Sequence, residues 1–381
     1  MRGHGRWVAV AAALAAAALS AGAGTAVAGT AAASAARPAR SDASPGWRVV
    51  KTWGCGNGAV NSVTSVGPRS GWATGYLTLC SSHRQDLLIA RWDGRSWRQV
   101  RPPAGFAGGK SVFVGHAVAA LSASYAWTFV DRGPKSFALL YQSGRWRTFE
   151  LPNYASVDSA VAFSTSNVWA FGRDSSGSGA AYRFNGRAWR QSAMPVAPQS
   201  TASPGQRNIW AVGDDPLSTI FPFTLAHWTG RWHNITFPDL NNTELSFLLN
   251  SVVSDGTDGA WVATTPDIGL YFDGGVLLHW TGTTWVEIGA PSNLYELGPI
   301  SHDGHGGLWM MAANYKDCPS GGCIRFEMLH YSTAHGWSAP DPIGAFQVNT
   351  LRLIPGTRSL WAGGYTFTSR TTHAAILKFG R

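Results

Sequence analysis

The chain has 381 residues, of which 45 are Gly, 20 Pro and 19 Trp, with 45% apolar and 13% charged side chains. That composition excludes a disordered chain, and so much Trp, Gly and turn residue indicates many short strands joined by tight connections. The net charge of +9 is scattered over turns such as Gly94-Arg95, Gly144-Arg145 and Gly186-Arg187 and forms no run, which argues against nucleic acid as a partner. It implies a solvated basic surface with mild attraction to acidic polymers.

Arg2 and Arg6 precede an apolar run from Trp7 to Leu19, and small residues then end in Ala26-Val27-Ala28 before Gly29. This pattern predicts a secretory signal peptide over residues 1–28, with an apolar core too short for a membrane span. Residues 29–45 are Ala-rich and unable to build a core, so they read as a flexible leader. A single folded domain is expected over 46–381, exported to the extracellular space, monomeric and without a membrane span.

Within that domain one unit recurs seven times, a strand carrying a Trp at 72, 127, 169, 210, 261, 309 and 361. The intervals are 55, 42, 41, 51, 48 and 52 residues. A second unit follows six of them, an apolar strand, a tight polar turn and another Trp, as in Ala90-Arg91-Trp92-Asp93-Gly94-Arg95-Ser96-Trp97. Asp-Gly, Asn-Gly and Ser-Gly at these turns suit tight hairpins, because Gly and Asn tolerate positive φ. The seventh copy stops at Ile376-Leu377-Lys378-Phe379, but Gly46-Trp47-Arg48-Val49-Val50-Lys51 matches Ser96-Trp97-Arg98-Gln99-Val100-Arg101. The strand from Trp47 to Lys51 therefore completes the last repeat and closes a ring.

Four short strands per repeat and a period near 40 to 50 residues predict an all-β, seven-bladed β-propeller of four-stranded blades. The inner strands fall before each first Trp, at Asn61 to Val66, Ala117 to Ser122, Val157 to Ser164 and Asn250 to Ser254, where small residues suit a crowded axis. The repeats resemble the kelch and galactose-oxidase type of propeller, in which Gly ends the second strand and a Trp opens the fourth, although the double Gly survives only at Gly363-Gly364. Turns such as Asp93 to Trp97 are also similar to the Asp-box turns of sialidase-like propellers. Both likenesses concern blade construction and imply no activity.

Four Cys in an exported chain indicate two disulfides. Cys55 leaves the closing strand and Cys80 lies between the second and third strands of blade 1, two connections that emerge on one face of a propeller. Cys318 and Cys323 would staple the same kind of connection in blade 6. That face also carries the long connections, which makes it the expected functional surface. Its candidate ligand-binding residues are Tyr154, Tyr271, Tyr295, Tyr315, Tyr365, Arg173 and Asp215, with Phe106, Phe221 and Asp214 nearby.

The Trp series, which repeat once per blade, read as packing. His227, His279 and His330 recur at one blade position, and Asp303-Gly304 matches the turn at Asp255-Gly256, so this set reads as structure and no metal site or cofactor is expected. The function expected is non-catalytic binding of an extracellular polysaccharide or protein partner. The alternative is a carbohydrate-active enzyme with an axial carboxylate pair, supplied from Asp158, Asp215 or Asp267.

Overall fold

The computed structural model describes residues 46–380 apart from 81–83, 108–112, 134, 153–155, 215–222, 237–246, 257, 267–274, 292–293, 315–324 and 369–370. The described residues form seven antiparallel sheets arranged in a ring, with no α-helix among them. Six of the sheets run inner, second, third and outer strand in sequence order, and the seventh takes its outer strand from the first strand of the chain. The inner strands are Gly58–Gly67, Phe113–Ser122, Ser156–Ser164, Ala197–Gly205, Phe247–Ser254, Leu294–His302 and Phe346–Leu353. Each touches the next around the axis, and the seventh touches the first.

Ring closure takes the expected form. Trp47–Trp53 lies antiparallel on Thr372–Phe379, with Trp47 opposite Phe379, and supplies the outer strand of blade 7. The disulfide Cys55–Cys80, with Cα atoms 5.5 Å apart, ties the exit of this strand to blade 1. Blade 6 departs from the four-strand pattern. Its outer edge is split into Gly336–Trp337 and Asp341–Pro342, both paired with Arg325–Ser332. Pro340 lies in the break, and a residue without an N–H cannot carry a ladder through it.

The core lies between blades rather than inside them. Trp127 of blade 2 packs on Phe184 and Trp189 of blade 3 at 4.9 and 5.2 Å between ring centroids. Across the closure, Trp361 of blade 7 packs on Trp92 and Trp97 of blade 1 at 5.0 and 5.3 Å. The same edge-to-face contact thus recurs at the seam where the chain ends meet, and Trp72, Trp127, Trp210 and Trp361 are fully buried.

A second repeated device sits at the end of the blades remote from the disulfide. In five blades the third-strand residue beside the Trp lies over the indole face: Arg91, Arg183 and Lys378 at 6.0, 5.2 and 5.7 Å, and His227 and His279 stacked at 3.7 and 3.8 Å. Four of the blades add a hydrogen bond to the turn between inner and second strands. Arg183 Nε donates to Asn167 Oδ1 at 2.9 Å, and the His227, His279 and His330 rings meet Asn208, Asp255 and Asp303 at 3.0, 3.2 and 2.8 Å. Burial alone would raise the Asp303 carboxyl, but hydrogen bonds from His330 and the His305 and Gly307 N–H groups outweigh it and hold the carboxyl below its ordinary value. The recurring His residues and the Asp303 turn are structural.

Candidate functional site

At the disulfide-bearing end the inner strands share a feature that the strand pattern alone does not announce. In six blades the register between inner and second strand slips by one residue, a β-bulge. The bulged residues are Asn61, His116, Asp158, Gln199, Asn250 and Asn349, all polar. Blade 6 places Tyr295 at one register shift and Gly298-Pro299 at another. A bulge leaves its extra residue out of the ladder and turns its side chain. Six inner strands bulged at one level therefore set polar side chains around the axis.

The repeated Trp-Ala-x-Gly sequence makes this geometry accessible. A Cβ added at Gly75, Gly172, Gly213 or Gly364 would lie 1.8 to 2.1 Å from an inner-strand carbonyl oxygen two positions before the bulge. Glycine is needed there because two backbones approach closely, whatever its φ. After the bulge comes a hydroxyl that fastens the neighbouring blade. Ser62, Ser200 and Ser251 accept the N–H groups of Val118, Val252 and Ile300 at 3.3, 3.3 and 3.2 Å, and Thr350 that of Val63 at 3.4 Å.

The bulged amides divide by what they touch. Asn61 donates to Gly115 O at 3.0 Å and Asn250 to Leu297 O at 2.9 Å, while Asn349 reaches Val60 O and Asn61 Oδ1 at 3.4 Å. These three hold neighbouring inner strands together.

Blades 2 to 4 carry charge instead. His116 Nε2 lies 3.0 Å from Asp131 Oδ2, and Ser136 donates to the other Asp131 oxygen at 2.5 Å. Arg173 Nη2 is 2.6 Å from Asp214 Oδ2, and Gln199 donates to Asp214 Oδ1 at 3.1 Å. Between these pairs stands Asp158, open to solvent yet enclosed by the surrounding blades. Burial raises its carboxyl to about 6, with Asp131 and Asp214 adding to the rise and His116 and Arg173 opposing it. Burial alone would lower His116, but its hydrogen bond to Asp131 and the charges of Asp131 and Asp158 raise it above its ordinary value.

On the far side of the axis, blades 6, 7 and 1 present aromatic rings and one carboxylate. Tyr365 donates to Gln347 Oε1 at 2.5 Å, and its phenol is raised by burial, with Tyr76 and Glu296 adding to the rise. Burial likewise raises the Glu296 carboxyl and the Tyr76 phenol.

Of the residues expected from sequence, Arg173 and Tyr365 therefore line this end of the axis, one on each side. Tyr295 belongs to the inner strand of blade 6, but its side chain, like Tyr154, Asp215, Tyr271, Tyr315, Phe221, Asp267, Cys318 and Cys323, lies outside the described residues. Phe106 is a correction. It is 5% exposed and packs on Phe113 and Phe137 at 5.6 and 5.2 Å, so it belongs to the core between blades 1 and 2 and offers no ligand surface. Sequence reasoning missed His116, Asp131, Gln199 and Glu296. A signal for two of them was present, a polar residue followed by a small one at the start of each inner strand, as in Asn61-Ser62, His116-Ala117 and Gln199-Ser200. Among the described residues, no group of three or more His, Cys, Asp or Glu could hold a metal ion.

The architecture defines a closed seven-bladed β-propeller. No protein-family model matches the chain, and no curated protein matches it. Solved propellers do. A structure of YCF48 bound to D1 peptide superposes with a TM-score of 0.61 at 12% identity, covering 89% of this chain and 98% of that one. The GH74 enzyme of Niastella koreensis gives 0.56 at 13% identity over 84% of this chain and 53% of that one. The WD40 propeller domain of Doa1 gives 0.53 at 11% identity, over 87% and 97%. At these identities the likeness is one of fold.

Proposed function

We propose that the protein is a secreted, non-catalytic propeller that binds an extracellular ligand, a cell-wall polysaccharide or a protein partner, at the disulfide-bearing end of its axis. One observation carries this reading: polar and aromatic groups that differ from blade to blade collect at that end, whereas the polar groups at the opposite end repeat and satisfy one another. Blade construction demands residues that repeat, and a binding surface on a rigid scaffold does not. Residues 1–28 as a signal peptide and 29–45 as a leader agree with a disulfide at Cys55–Cys80, since such bonds persist in oxidising compartments.

The test is incubation of the protein with insoluble cell-wall and plant polysaccharides, measuring both its depletion from solution and the soluble sugar released. Depletion without release is expected. Absence of depletion from every polysaccharide would move the reading to a protein partner, as in the propeller YCF48 bound to D1 peptide.

A second reading has its own observation. Asp158, with its carboxyl raised to about 6 between Asp131 and Asp214, has the acidity of a general acid in a glycoside hydrolase. If sugar is released, Asp158→Asn should abolish release while leaving depletion intact, and that result would replace the non-catalytic reading.

A further inference from the structure

Arginines that stand far apart in the sequence are gathered by the fold at one end. The turn between third and outer strands lies at the end remote from the disulfide, and so does the turn between inner and second strands. The Gly-Arg step of the first turn places Arg95 in blade 1, Arg145 in blade 2, Arg187 in blade 3 and Arg231 in blade 4. The second turn adds Arg69 in blade 1, Arg207 in blade 4 and Arg358 in blade 7, and all of these residues are exposed.

Hydrogen bonds tie the turns into one surface. Arg91 Nη1 of blade 1 donates to Ala123 O in the blade 2 turn at 3.3 Å. Tyr125 Oη of blade 2 donates to Thr165 O in the blade 3 turn at 3.1 Å, and Asn167 Nδ2 of blade 3 to Gln206 Oε1 in the blade 4 turn at 2.8 Å. Blade 7 joins this arc through Trp361, packed on Trp92, whose own Nε1 donates to Pro68 O beside Arg69 at 2.9 Å.

The arc stops at blades 5 and 6. Their turns, 255–259 and 281–284 in blade 5 and 303–306 and 333–335 in blade 6, contain Asp and His but no Arg or Lys. In the corresponding turns of blades 7, 1, 2, 3 and 4 the one acidic residue is Asp93, which meets Arg98 at 2.8 Å. Turn geometry asks for the glycine and not for the arginine. Gly94, Gly186 and Gly282 have φ of 92°, 92° and 95°, yet Thr283 follows Gly282 where Arg95 and Arg187 follow the other two. The positive charge is therefore an addition to the scaffold, and like charges collected on one face repel until a counter-charge meets them.

An arc across five blades calls for an extended partner. Between the arginines the turns expose Ser124, Ser143, Asn185, Gln206 and Thr229, all hydroxyls and amides. The exposed large apolar side chains among the described residues, Val49, Val286 and Phe367, belong to none of these turns. A bilayer is met by apolar side chains that insert, and a single-stranded nucleic acid by exposed rings on which bases stack. Guanidinium forks set among hydroxyls and amides suit instead the carboxylates and hydroxyls of a sugar chain.

We infer that the turns of blades 7, 1, 2, 3 and 4 form a second binding surface, for an acidic polysaccharide whose carboxylates pair with the turn arginines. This surface is separate from the disulfide-bearing end, and its assignment rests on the proposed function only in taking the ligand to be an extracellular sugar.

The test is calorimetric titration of the whole protein at pH 7 with polygalacturonate and with its methyl ester, the same chain without charge. The acid form is expected to bind at least ten-fold more tightly than the ester, and to weaken at least ten-fold between about 50 and 200 mM salt, because its released counterions compete. Arg95→Gln with Arg187→Gln should weaken the acid form about five-fold or more. Arg84→Gln with Arg132→Gln, which removes the same charge from exposed positions at the disulfide-bearing end, should change it less than two-fold. Thermal melting confirms that both variants stay folded. Equal binding of acid and ester, or equal loss in the two double variants, overturns the inference. Tighter binding of a DNA duplex or of phosphatidylglycerol vesicles overturns it too, and assigns the arc to nucleic acid or to a membrane. Depletion of the protein by neutral cell-wall polysaccharides should be unchanged in Arg95→Gln with Arg187→Gln, so either reading can fail while the other stands.

Discussion

The two ends of the propeller are built from the same strands and obey different rules. At the end remote from the disulfide, four successive blades solve one problem in one way: a third-strand Arg or His lies beside the Trp and is held by an Asn or Asp of the turn. At the other end the bulge repeats but its side chain does not, and Asn, His, Asp and Gln occupy equivalent places. Backbone geometry is therefore conserved from blade to blade where chemistry is not. The difference teaches that the bulge is the scaffold: in blades 1, 5 and 7 it presents an Asn that fastens neighbouring strands, and in blades 2 to 4 it presents groups that can serve a ligand.

Substitutions can break this division, and the largest effect is expected in the packing that both ends share. Trp210 is fully buried, and Trp210→Ala should cost about 3–5 kcal/mol in chemical denaturation, the range for a large aromatic removed from a core. Opening the ring tests closure next. The Cys55–Cys80 bridge spans 25 residues, so Cys55→Ser with Cys80→Ser should lower stability by about 3 kcal/mol. A loss near zero would mean that strand pairing alone holds the seam.

The repeated end should respond less, and in one sense only. Removing His330 leaves Asp303, 15% exposed at its side chain, without its side-chain hydrogen-bond partner, and His330→Ala should cost about 1–3 kcal/mol. The loss should be measurable by denaturation at pH 7 and leave every ligand titration unchanged. A change in binding would abolish the distinction between the two ends.

Much of this was legible in the sequence, because what repeats can be read by aligning a chain with itself. The seven Trp strands, the closing strand at Trp47 and the pairing of Cys55 with Cys80 all followed from periodicity and from the alternation of strand direction. The six polar bulges escaped, although Trp72-Ala73-Thr74-Gly75 and its copies in blades 3, 4 and 7 carry a Gly opposite four of them. A Gly at the end of a strand reads as a terminator until the carbonyl oxygen that it admits is seen. The charged pairs escaped for another reason. His116 with Asp131 and Arg173 with Asp214 join residues 15 and 41 apart, in the same blade and in adjacent ones, and no local pattern selects those partners. Phe106 was misread because an aromatic in a connection looks like surface, while its neighbours Phe113 and Phe137 draw it into the core.

The smallest expected effect has the opposite sign. Asp158 has its carboxyl raised from 3.8 to about 6 in the folded protein, so between those values the native state binds more protons than the unfolded chain. Stability contributed by this site is then constant below about pH 4, declines as pH rises towards 6, and is at its lowest above that. Asp158→Asn removes the penalty and should stabilise the protein at pH 8 by about 1 kcal/mol, the figure being small because solvent reaches the side chain and screens it. The gain should vanish below pH 4, where wild-type Asp158 is protonated in both states. Denaturation of the two proteins at pH 4 and pH 8 checks both halves. A loss of stability at pH 8 would mean that the ionised Asp158 is held by His116 and Arg173 as a structural partner. A gain shows a carboxylate kept at the mouth at the expense of stability, which is what distinguishes a residue retained for a ligand from one retained for the fold.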